Sequence, residues 1–274
     1  MDASDAKTMA VYSNAADHYD DPANAYWQYF GRQTVARLGL QSGDHVLDAA
    51  CGTGASALSA ARMVGEQGHV TGIDLSDEML ALASCKARRQ GLKNIEFRQG
   101  NMREENAIQG LYDAVVCVFG IFFIEDMERM VAELWQHVRP GGCLAVTTWG
   151  EALFEPMYSV FDRAVADIRP ELVTDYRPWD RLVNPSDLEH LLSTCSEHVS
   201  VVSESHDQTL SQPESWWRVV LGSGRRSTVL QLSTHEAEQV RVNNLTYVRD
   251  HEVDRIVTKV NYGVAQKPMV SPYE

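Results

Sequence analysis

A glycine-rich turn is the part of this sequence best suited to hold a ligand. The letters VLDAACGTG describe an apolar strand that delivers Asp48 to a tight turn containing Gly52 and Gly54, just before a helix. Small residues let a ligand approach the backbone, and a helix N-terminus offers N–H groups without intrahelical partners. Asp74 ends the next apolar run, roughly twenty residues beyond the glycines, where a carboxylate can accept hydrogen bonds from two ribose hydroxyls. The turn and the acid together predict a site for a ribose-containing cofactor.

The elements that must position this site follow from the hydrophobic pattern of residues 44–149. Longer amphipathic stretches predict helices over 55–64, 77–90 and 126–138. Short apolar runs predict strands in HVLDAA, HVTGID, NIEFRQ, YDAVVCVF and GCLAVTTW, the last one after a predicted turn at residues 139–142. Strands that alternate with helices predict right-handed crossovers and a parallel sheet.

The two ends of the chain add further segments to this alternation. Residues 1–40 are aromatic-rich and look helical, and later helices are predicted over 154–168, 185–195 and much of 213–250. Two final strands are predicted in HVSVVSES and DRIVTKVNYGVAQ. Because the sequence has no repeat or linker, we predict a single domain with three parts: an N-terminal helical cap segment over 1–42, a cofactor-binding core over 43–150, and cap insertions with closing strands over 151–274.

Composition and charge limit the classes of partner. The chain has 38 acidic residues against 24 Lys and Arg, a formal net charge of −14, and no basic stripe that could follow a phosphate backbone. Nucleic acid and anionic membranes are therefore poor partners. The sequence shows no signal peptide and no segment apolar enough to span a bilayer, so we expect a soluble, cytoplasmic protein. Its five cysteines lack the paired spacing of a zinc or redox site, which predicts reduced thiols.

The motifs occur in the order typical of one enzyme family. The sequence resembles the class I S-adenosylmethionine-dependent methyltransferases, and within them the branch that includes the ubiquinone/menaquinone-biosynthesis methyltransferases. The resemblance runs through VLDAACGTG, VTGIDLSDEML, FRQGNM, YDAVVCVFGIFFIED and VRPGGCLAVTTW. It implies a Rossmann-like, doubly wound α/β fold, with a mainly parallel seven-stranded sheet, an antiparallel last strand and a helical cap.

The resemblance also implies contacts with S-adenosylmethionine and its product S-adenosylhomocysteine. It puts the methionine portion against Ala50, Cys51, Gly52 and Gly54, and both ribose hydroxyls on Asp74. It implies that the adenine contacts Leu75, Met79, Asn101 and Met102, and that the Val118 carbonyl contacts the ammonium. Independently of the resemblance, Arg32 in the N-terminal segment could pair with the cofactor carboxylate, and a solvated side chain is the alternative.

Two of these positions depart from the family pattern. Ala50 stands where the three-glycine version of the turn has its first glycine, and alanine is small enough that we expect no loss of binding. Asn101 stands where the family commonly has an acidic residue, and its carboxamide oxygen can still accept a hydrogen bond from the adenine amino group.

A nucleotide-binding dehydrogenase is the alternative interpretation of the turn, because its first turn and ribose-binding acid look similar. The spacing of Gly52 and Gly54 lacks the third glycine of the dinucleotide fingerprint. Hydride transfer is therefore the weaker interpretation.

Aromatic residues are the candidates for a substrate pocket beyond the carboxyl ends of the fourth and fifth strands, where ligands bind in open α/β sheets. The N-terminal candidates are Tyr12, Tyr19, Trp27 and Phe30, and those that follow the two strands are Phe119, Phe123 and Trp149. Packing within the core is the alternative role for each of them. Apolar walls at this position imply an acceptor with hydrophobic surface.

Methyl transfer from a sulfonium is a direct displacement, so a general base is needed only where the acceptor must lose a proton. His206, which ends a predicted strand, is the first candidate base, with a surface histidine as the alternative; His18 is the second. Tyr19 completes the catalytic candidates. No metal constellation is visible in the sequence, so we expect no metal cofactor.

The function expected from these patterns is transfer of a methyl group from S-adenosylmethionine to an oxygen, nitrogen or carbon nucleophile of a small, partly apolar metabolite, such as a quinone precursor or secondary metabolite. An enzyme of the same fold that catalyses a non-methylating cyclisation or rearrangement is the alternative, and release of S-adenosylhomocysteine would distinguish the two. The sequence leaves a homo-oligomer open, and fold alone does not fix the substrate.

Overall fold

The computed structural model describes residues 3–104, 106–174 and 176–269, and a mixed sheet is its central feature. The strands are β1 (His45–Ala49), β2 (His69–Asp74), β3 (Ile95–Gln99), β4 (Tyr112–Val118), β5 (Val138–Trp149), β6 (Val199–Thr209) and β7 (Arg255–Gln266). They form one seven-stranded sheet in the order β3-β2-β1-β4-β5-β7-β6. Strands β1 to β5 are parallel, and β7 is antiparallel to both of its neighbours. The predicted fold class, including the antiparallel last strand, is confirmed.

Helices cover both faces of this sheet and extend beyond it. They are α1 (Ala3–Tyr19), α2 (Tyr26–Ala36), α3 (Ala55–Val64), α4 (Asp77–Arg89), α5 (Met127–Gln136), α6 (Met157–Ala166), α7 (Pro185–Ser193), α8 (Pro213–Leu221), α9 (Arg226–Val229) and α10 (Thr234–Asp250). Short 3-10 turns lie at Pro22–Asn24, Ile121–Phe123, Pro170–Leu172 and Pro178–Leu182. None of the helices in the described part of the chain is long and apolar enough to cross a membrane.

Local capping explains where several helices begin. The Ser76 hydroxyl accepts the backbone N–H of Met79 at the start of α4, and the Asp126 carboxylate does the same for Arg129 at the start of α5. Ser233 and Glu236 form a reciprocal capping box at the start of α10. These caps satisfy N–H groups that no helical carbonyl can reach.

The order of the strands fixes where a ligand can bind. Strand β1 lies between β2 and β4, so the crossovers run outward in opposite directions from the β1/β4 pair. Val46, Leu47 and Ala49 of β1 are fully buried. In such sheets the crevice beyond the carboxyl ends of the strands, at the point where the order reverses, is the ligand-binding position.

The predicted turn at residues 139–142 lies inside a strand instead. Strand β5 starts at Val138, and the pairing of β4 with β5 shifts register between Tyr112 and Ala114. Gly141 has φ +82°, and its N–H donates to the Lys267 carbonyl at 2.9 Å. Gly141 and Gly142 therefore form an irregularity at the start of β5 rather than a free turn, because their backbone groups find hydrogen-bond partners on a neighbouring segment.

Helix α2 packs very closely on the start of α3, and a glycine makes this possible. A Cβ built at Gly31 would stand 2.8 Å from the Ala55 Cβ and 2.8 Å from the Ser56 backbone nitrogen. Because backbone atoms cannot move aside cheaply, residue 31 must remain glycine for the two helices to touch. This contact fixes α2 beside the turn that follows β1.

We expect Gly31→Ala to lower the free energy of unfolding by about 1–3 kcal/mol through overpacking, although alanine is the better helix former. Arg32→Ala, at an exposed position of the same helix, is the matched control and should change stability by less than about 0.5 kcal/mol. Urea titration of both variants measures the difference. Equal stability of the two variants would contradict the close α2–α3 contact.

Candidate functional site

A cavity that is partly open to solvent lies at the carboxyl ends of β1, β2 and β4. The described residues that line it come from the turns after these strands, from the loop after β3, and from α1 and α2. They are Asp5, Thr8, Met9, Tyr12, Tyr19, Trp27, Ala50, Gly52, Ile73, Asp74, Leu75, Ser76, Met79, Gly100, Asn101, Met102, Val118, Phe119, Gly120, Phe123 and Ile124.

The turn after β1 has the left-handed backbone that its glycines predict. Gly52 has φ +52° and Gly54 has φ +84°. A Cβ at Gly52 would meet no protein atom within 4 Å, so the space beside it is open to a ligand. A Cβ at Gly54 would instead meet Ala83 at 3.2 Å and Leu58 at 3.3 Å. Gly52 therefore faces the cavity, whereas Gly54 is required by internal packing and is not among the lining residues.

Ala50 takes up a conformation that alanine rarely adopts. Its φ of +65° lies in the left-handed region, where a Cβ costs roughly 1–2 kcal/mol. Gly120, after β4, provides the room: a Cβ there would stand only 2.7 Å from the Ala50 Cβ. The turn keeps its shape despite the missing glycine because its neighbour has no side chain.

The carboxylate of Asp74 ties the end of β2 to this turn. Its two oxygens accept the backbone N–H groups of Gly52 at 2.7 Å and Ser76 at 3.0 Å. Burial raises the pKa of Asp74, and these N–H groups offset part of that effect. The carboxylate retains further acceptor positions toward the cavity, because a carboxylate offers about four.

Asp48 lies beneath the turn and does not line the cavity. It is fully buried, and the Ser56 hydroxyl donates to its Oδ2 at 2.6 Å. Burial raises the pKa of Asp48 to about 7, although the hydrogen bonds from Ser56 and from the Ala57 backbone act in the opposite direction. The side chain holds the start of α3, as expected for a residue that orients the turn.

The Asp48 carboxyl makes stability depend on pH. An acid with a raised folded-state pKa stabilises the fold below its unfolded pKa of ~4 and loses that contribution as pH rises through the folded value. We expect the free energy of unfolding to fall between about pH 4 and pH 7, and Asp48→Asn to reduce that fall by on the order of 2 kcal/mol. Urea titrations across this range measure it, with exposed Asp77→Asn as control. Parallel curves for wild type and Asp48→Asn would contradict the assignment.

The loop after β3 is organised by Asn101 and by an acid that sequence reasoning missed. The Asn101 Oδ1 accepts the Arg103 backbone N–H at 3.1 Å, and its Nδ2 donates to Asp5 Oδ2 at 2.8 Å. The Arg103 guanidinium also forms an ion pair with Asp5. Asp5 is on α1, and no local pattern in the sequence relates it to a loop almost a hundred residues later.

Helix α1 is fastened to two further loops around the cavity. The Ser13 hydroxyl lies 2.8 Å from the Ser76 hydroxyl, after β2. Asp20, just beyond α1, accepts the Thr53 hydroxyl at 2.9 Å and forms an ion pair with Lys86 at 2.7 Å. Together with Asp5, these contacts join the N-terminal segment to the loops after β1, β2 and β3. The segment therefore forms a roof over the cavity.

Five aromatic rings line the cavity, those of Tyr12, Tyr19, Trp27, Phe119 and Phe123, and contacts between neighbouring rings make them one continuous wall. Tyr19 stacks on Trp27 with ring centroids 4.7 Å apart, and Tyr12 meets Phe123 edge-on at 5.7 Å. Burial raises the pKa of Tyr12 and of Tyr19, so both phenols stay protonated at neutral pH. They can donate hydrogen bonds but are poorly suited to remove a proton.

Phe30 and Trp149 lie behind this wall rather than in it. Trp149 stacks on Phe119 at 3.7 Å, and Phe30 is fully buried and meets Phe119 at 5.9 Å. Phe119 itself has φ +55°, a strained backbone for a bulky residue. The sequence placed Phe30, Phe119 and Trp149 beside the substrate. In the structure only Phe119 lines the cavity, and Phe30 and Trp149 form a second layer that packs behind it.

Three other candidates do not reach the cavity lining. His206 is on β6 at the edge of the sheet, stacked on Tyr29 at 3.8 Å, and Phe30 separates it from the aromatic wall. Arg32 is exposed on α2, 5.7 Å from the Tyr29 ring. Cys51 is buried in the core beside Gly72. Arg32 faces outward, and His206 packs against α2 away from the cavity; the linear pattern could not distinguish either position from one that faces the cavity.

The chemistry of the lining fits a cofactor with a ribose and an apolar reaction partner. None of the described lining residues is Lys, Arg or His. The indole Nε1 of Trp27 is buried and has no hydrogen-bond partner among the described residues. Its N–H is therefore a donor for a ligand oxygen. Within the described ranges, no group of His, Cys, Asp and Glu side chains could hold a metal ion.

Comparison with known proteins agrees with this geometry. Residues 46–142 match a family model described as a methyltransferase domain. The chain is 31% identical over 147 residues to a ubiquinone/menaquinone biosynthesis C-methyltransferase UbiE of Psychromonas ingrahamii, covering 53% of this chain and 57% of that relative. It is 33% identical over 114 residues to a demethylmenaquinone methyltransferase of Listeria welshimeri, covering 42% of this chain and 48% of the relative. The chain thus spans about half the length of the curated relatives it matches.

A solved structure, that of a SAM-dependent methyltransferase from Aquifex aeolicus, shares the fold. It superposes with a TM-score of 0.53 at 22% identity, over 69% of this chain and 91% of that chain. Residues 46–142 are thus similar to a methyltransferase domain, and the chain resembles the class I S-adenosylmethionine-dependent methyltransferases of the branch that contains the ubiquinone/menaquinone-biosynthesis enzymes.

Proposed function

We propose that this protein transfers a methyl group from S-adenosylmethionine to a small, partly apolar metabolite in the cytoplasm. One observation carries the proposal: the open turn at Gly52 and the Asp74 carboxylate meet beside the point where the strand order reverses, in a cavity that aromatic rings also line. The first feature suits a ribose-containing cofactor, and the second suits an apolar reaction partner.

The lining residues fall into groups, each of which would hold one portion of the cofactor. Ala50 and Gly52 would contact the methionine portion, Asp74 the ribose hydroxyls, and the Val118 carbonyl the ammonium. The adenine would lie among the lining side chains Leu75, Met79, Asn101 and Met102. The bound cofactor supplies a methyl group on a positively charged sulfur, which is reactive without help from a metal.

The contribution of the protein to transfer is then alignment and exclusion of water. Tyr12 and Tyr19 line the roof side of the pocket and would donate hydrogen bonds to an acceptor, and Phe119 and Phe123 present flat apolar surface. The described lining carries two carboxylates, from Asp5 and Asp74, and no cationic side chain. An acceptor that is neutral near its reacting atom therefore fits better than one with a phosphate or carboxylate there.

The class of acceptor follows from this wall and from the relatives. The names of the relatives refer to the methylation steps of ubiquinone and menaquinone biosynthesis, including demethylmenaquinone, in those proteins. A planar aromatic metabolite, such as a quinone precursor or an aromatic secondary metabolite, would pack against the aromatic wall of this cavity. The formal charge of −14 supports a small-molecule partner rather than nucleic acid.

The decisive experiment combines binding and turnover. We expect S-adenosylhomocysteine to bind the wild type, and Asp74→Ala to weaken binding by about 2–3 kcal/mol because two hydrogen bonds to a charged acceptor disappear. Asp77→Ala, which removes an exposed acid three residues away, should bind almost normally. Calorimetry measures both.

Turnover is tested by incubating the enzyme with labelled S-adenosylmethionine and a panel of neutral and anionic aromatic acceptors. Label in the acceptor together with released S-adenosylhomocysteine would support methyl transfer. A converted acceptor without released S-adenosylhomocysteine would instead identify a non-methylating enzyme.

We infer that the N-terminal segment moves when ligands exchange, because it is joined to three of the loops that line the cavity. We expect proteolysis of residues 3–21 to slow several-fold when S-adenosylhomocysteine is added. Deleting residues 1–21 should lower turnover far more than it lowers fold stability, since Tyr12 and Tyr19 leave with the segment. Unchanged turnover would show that the segment only packs against the fold.

A further inference from the structure

We propose that Asp5, on the roof helix α1, accepts the amino group of the cofactor's adenine, so that adenine recognition and closure of the roof are a single event. This inference rests on the proposed function, since it requires S-adenosylmethionine in the cavity. It concerns a residue that lies far outside the methyltransferase domain at residues 46–142.

The position of Asp5 supports this role. Its side chain is 7% exposed and lines the cavity together with Gly100, Asn101 and Met102, the loop proposed to hold the adenine. Asn101 Nδ2 donates to Asp5 Oδ2 at 2.8 Å, and the Arg103 guanidinium pairs with the same carboxylate. Burying a carboxylate is costly unless it is paired and hydrogen-bonded, and both conditions are met here.

Asn101 and Asp5 offer different acceptors to the adenine amino group. The carboxamide oxygen of Asn101 already accepts the Arg103 backbone N–H at 3.1 Å, and its amide nitrogen is directed to Asp5. An exocyclic amino group carries two N–H donors, and a carboxylate has acceptor capacity for about four hydrogen bonds. The loop residues that line the cavity are Gly100, Asn101 and Met102, which are uncharged, so Asp5 provides the negatively charged acceptor beside them.

A consequence for the reaction follows from where Asp5 is located along α1. Asp5 is in the first turn of the helix, whereas Tyr12 and Tyr19 are further along the same helix and line the aromatic wall. An adenine contact at one end of α1 would thus stabilise the position of the phenols at the other. A cofactor with the correct base would complete the acceptor pocket.

The test uses S-adenosylhomocysteine and S-inosylhomocysteine, in which an oxo group replaces the amino group. Calorimetry with the wild type should show a preference of about tenfold or more for the adenosine ligand, as expected for a lost charge-assisted hydrogen bond. Asp5→Ala should bind S-adenosylhomocysteine about tenfold or more weakly and should lose most of the preference.

Ser13→Ala is the matched control, because it removes a contact between α1 and the Ser76 loop. It should weaken both ligands by the same factor and keep the preference. Asp5→Asn tests whether a side chain of the same shape without the negative charge keeps the preference for the adenosine ligand. The melting temperatures of all three variants verify that they fold.

The outcomes separate the two proposals. A wild type that binds neither ligand would contradict the proposed function. Normal binding of S-adenosylhomocysteine with a preference unchanged in Asp5→Ala would overturn the role of Asp5 alone, and equal weakening of both ligands would reduce Asp5 to a contact of the roof.

Discussion

The hydrogen bonds from the Gly52 and Ser76 backbone N–H groups to Asp74 are the interactions on which the candidate site depends. They join the turn after β1 to the end of β2, which is the parallel neighbour of β1 on the side away from β4. A carboxylate in this position does two things at once: it fixes the open face of the turn and presents acceptor oxygens to the cavity. The raised pKa that accompanies its burial is a cost of that placement.

Strain is concentrated around the same turn. Ala50 and Phe119 both adopt left-handed backbone conformations on the cavity lining. Such conformations persist only where the surroundings impose them, and here Gly120 makes room for Ala50 while Trp149 stacks on Phe119. The layer behind the cavity thus supports the layer that lines it, which explains why aromatic residues are frequent in both.

The roof differs from the sheet in what holds it. The sheet and its helices enclose a core of fully buried apolar side chains, whereas the N-terminal segment reaches the loops after β1, β2 and β3 through polar contacts of Asp20, Ser13 and Asp5. Its apolar contacts include those of the Tyr12 and Tyr19 rings with the aromatic wall. Polar contacts that water can replace contribute only about 0.5–1.5 kcal/mol each. A segment held in this way can open while the core stays folded.

The sequence by itself determined the strand and helix alternation, the turn with Gly52 and the acid at Asp74, because each of these is encoded by neighbouring residues. It also identified the aromatic segments, but not their layers. Only the tertiary structure decided that Phe119 lines the cavity while Phe30 and Trp149 lie behind it, and that His206 is at the far edge of the sheet.

The same distinction applies to Asp5 and Asn101. Each is an ordinary polar residue in its own segment, and their partnership arises only when α1 folds across the loop after β3. Periodicity reports which face of an element is apolar, but it carries no information on which distant element that face will meet. Local chemistry therefore fixed the cofactor turn, and long-range packing decided the roof and the substrate wall.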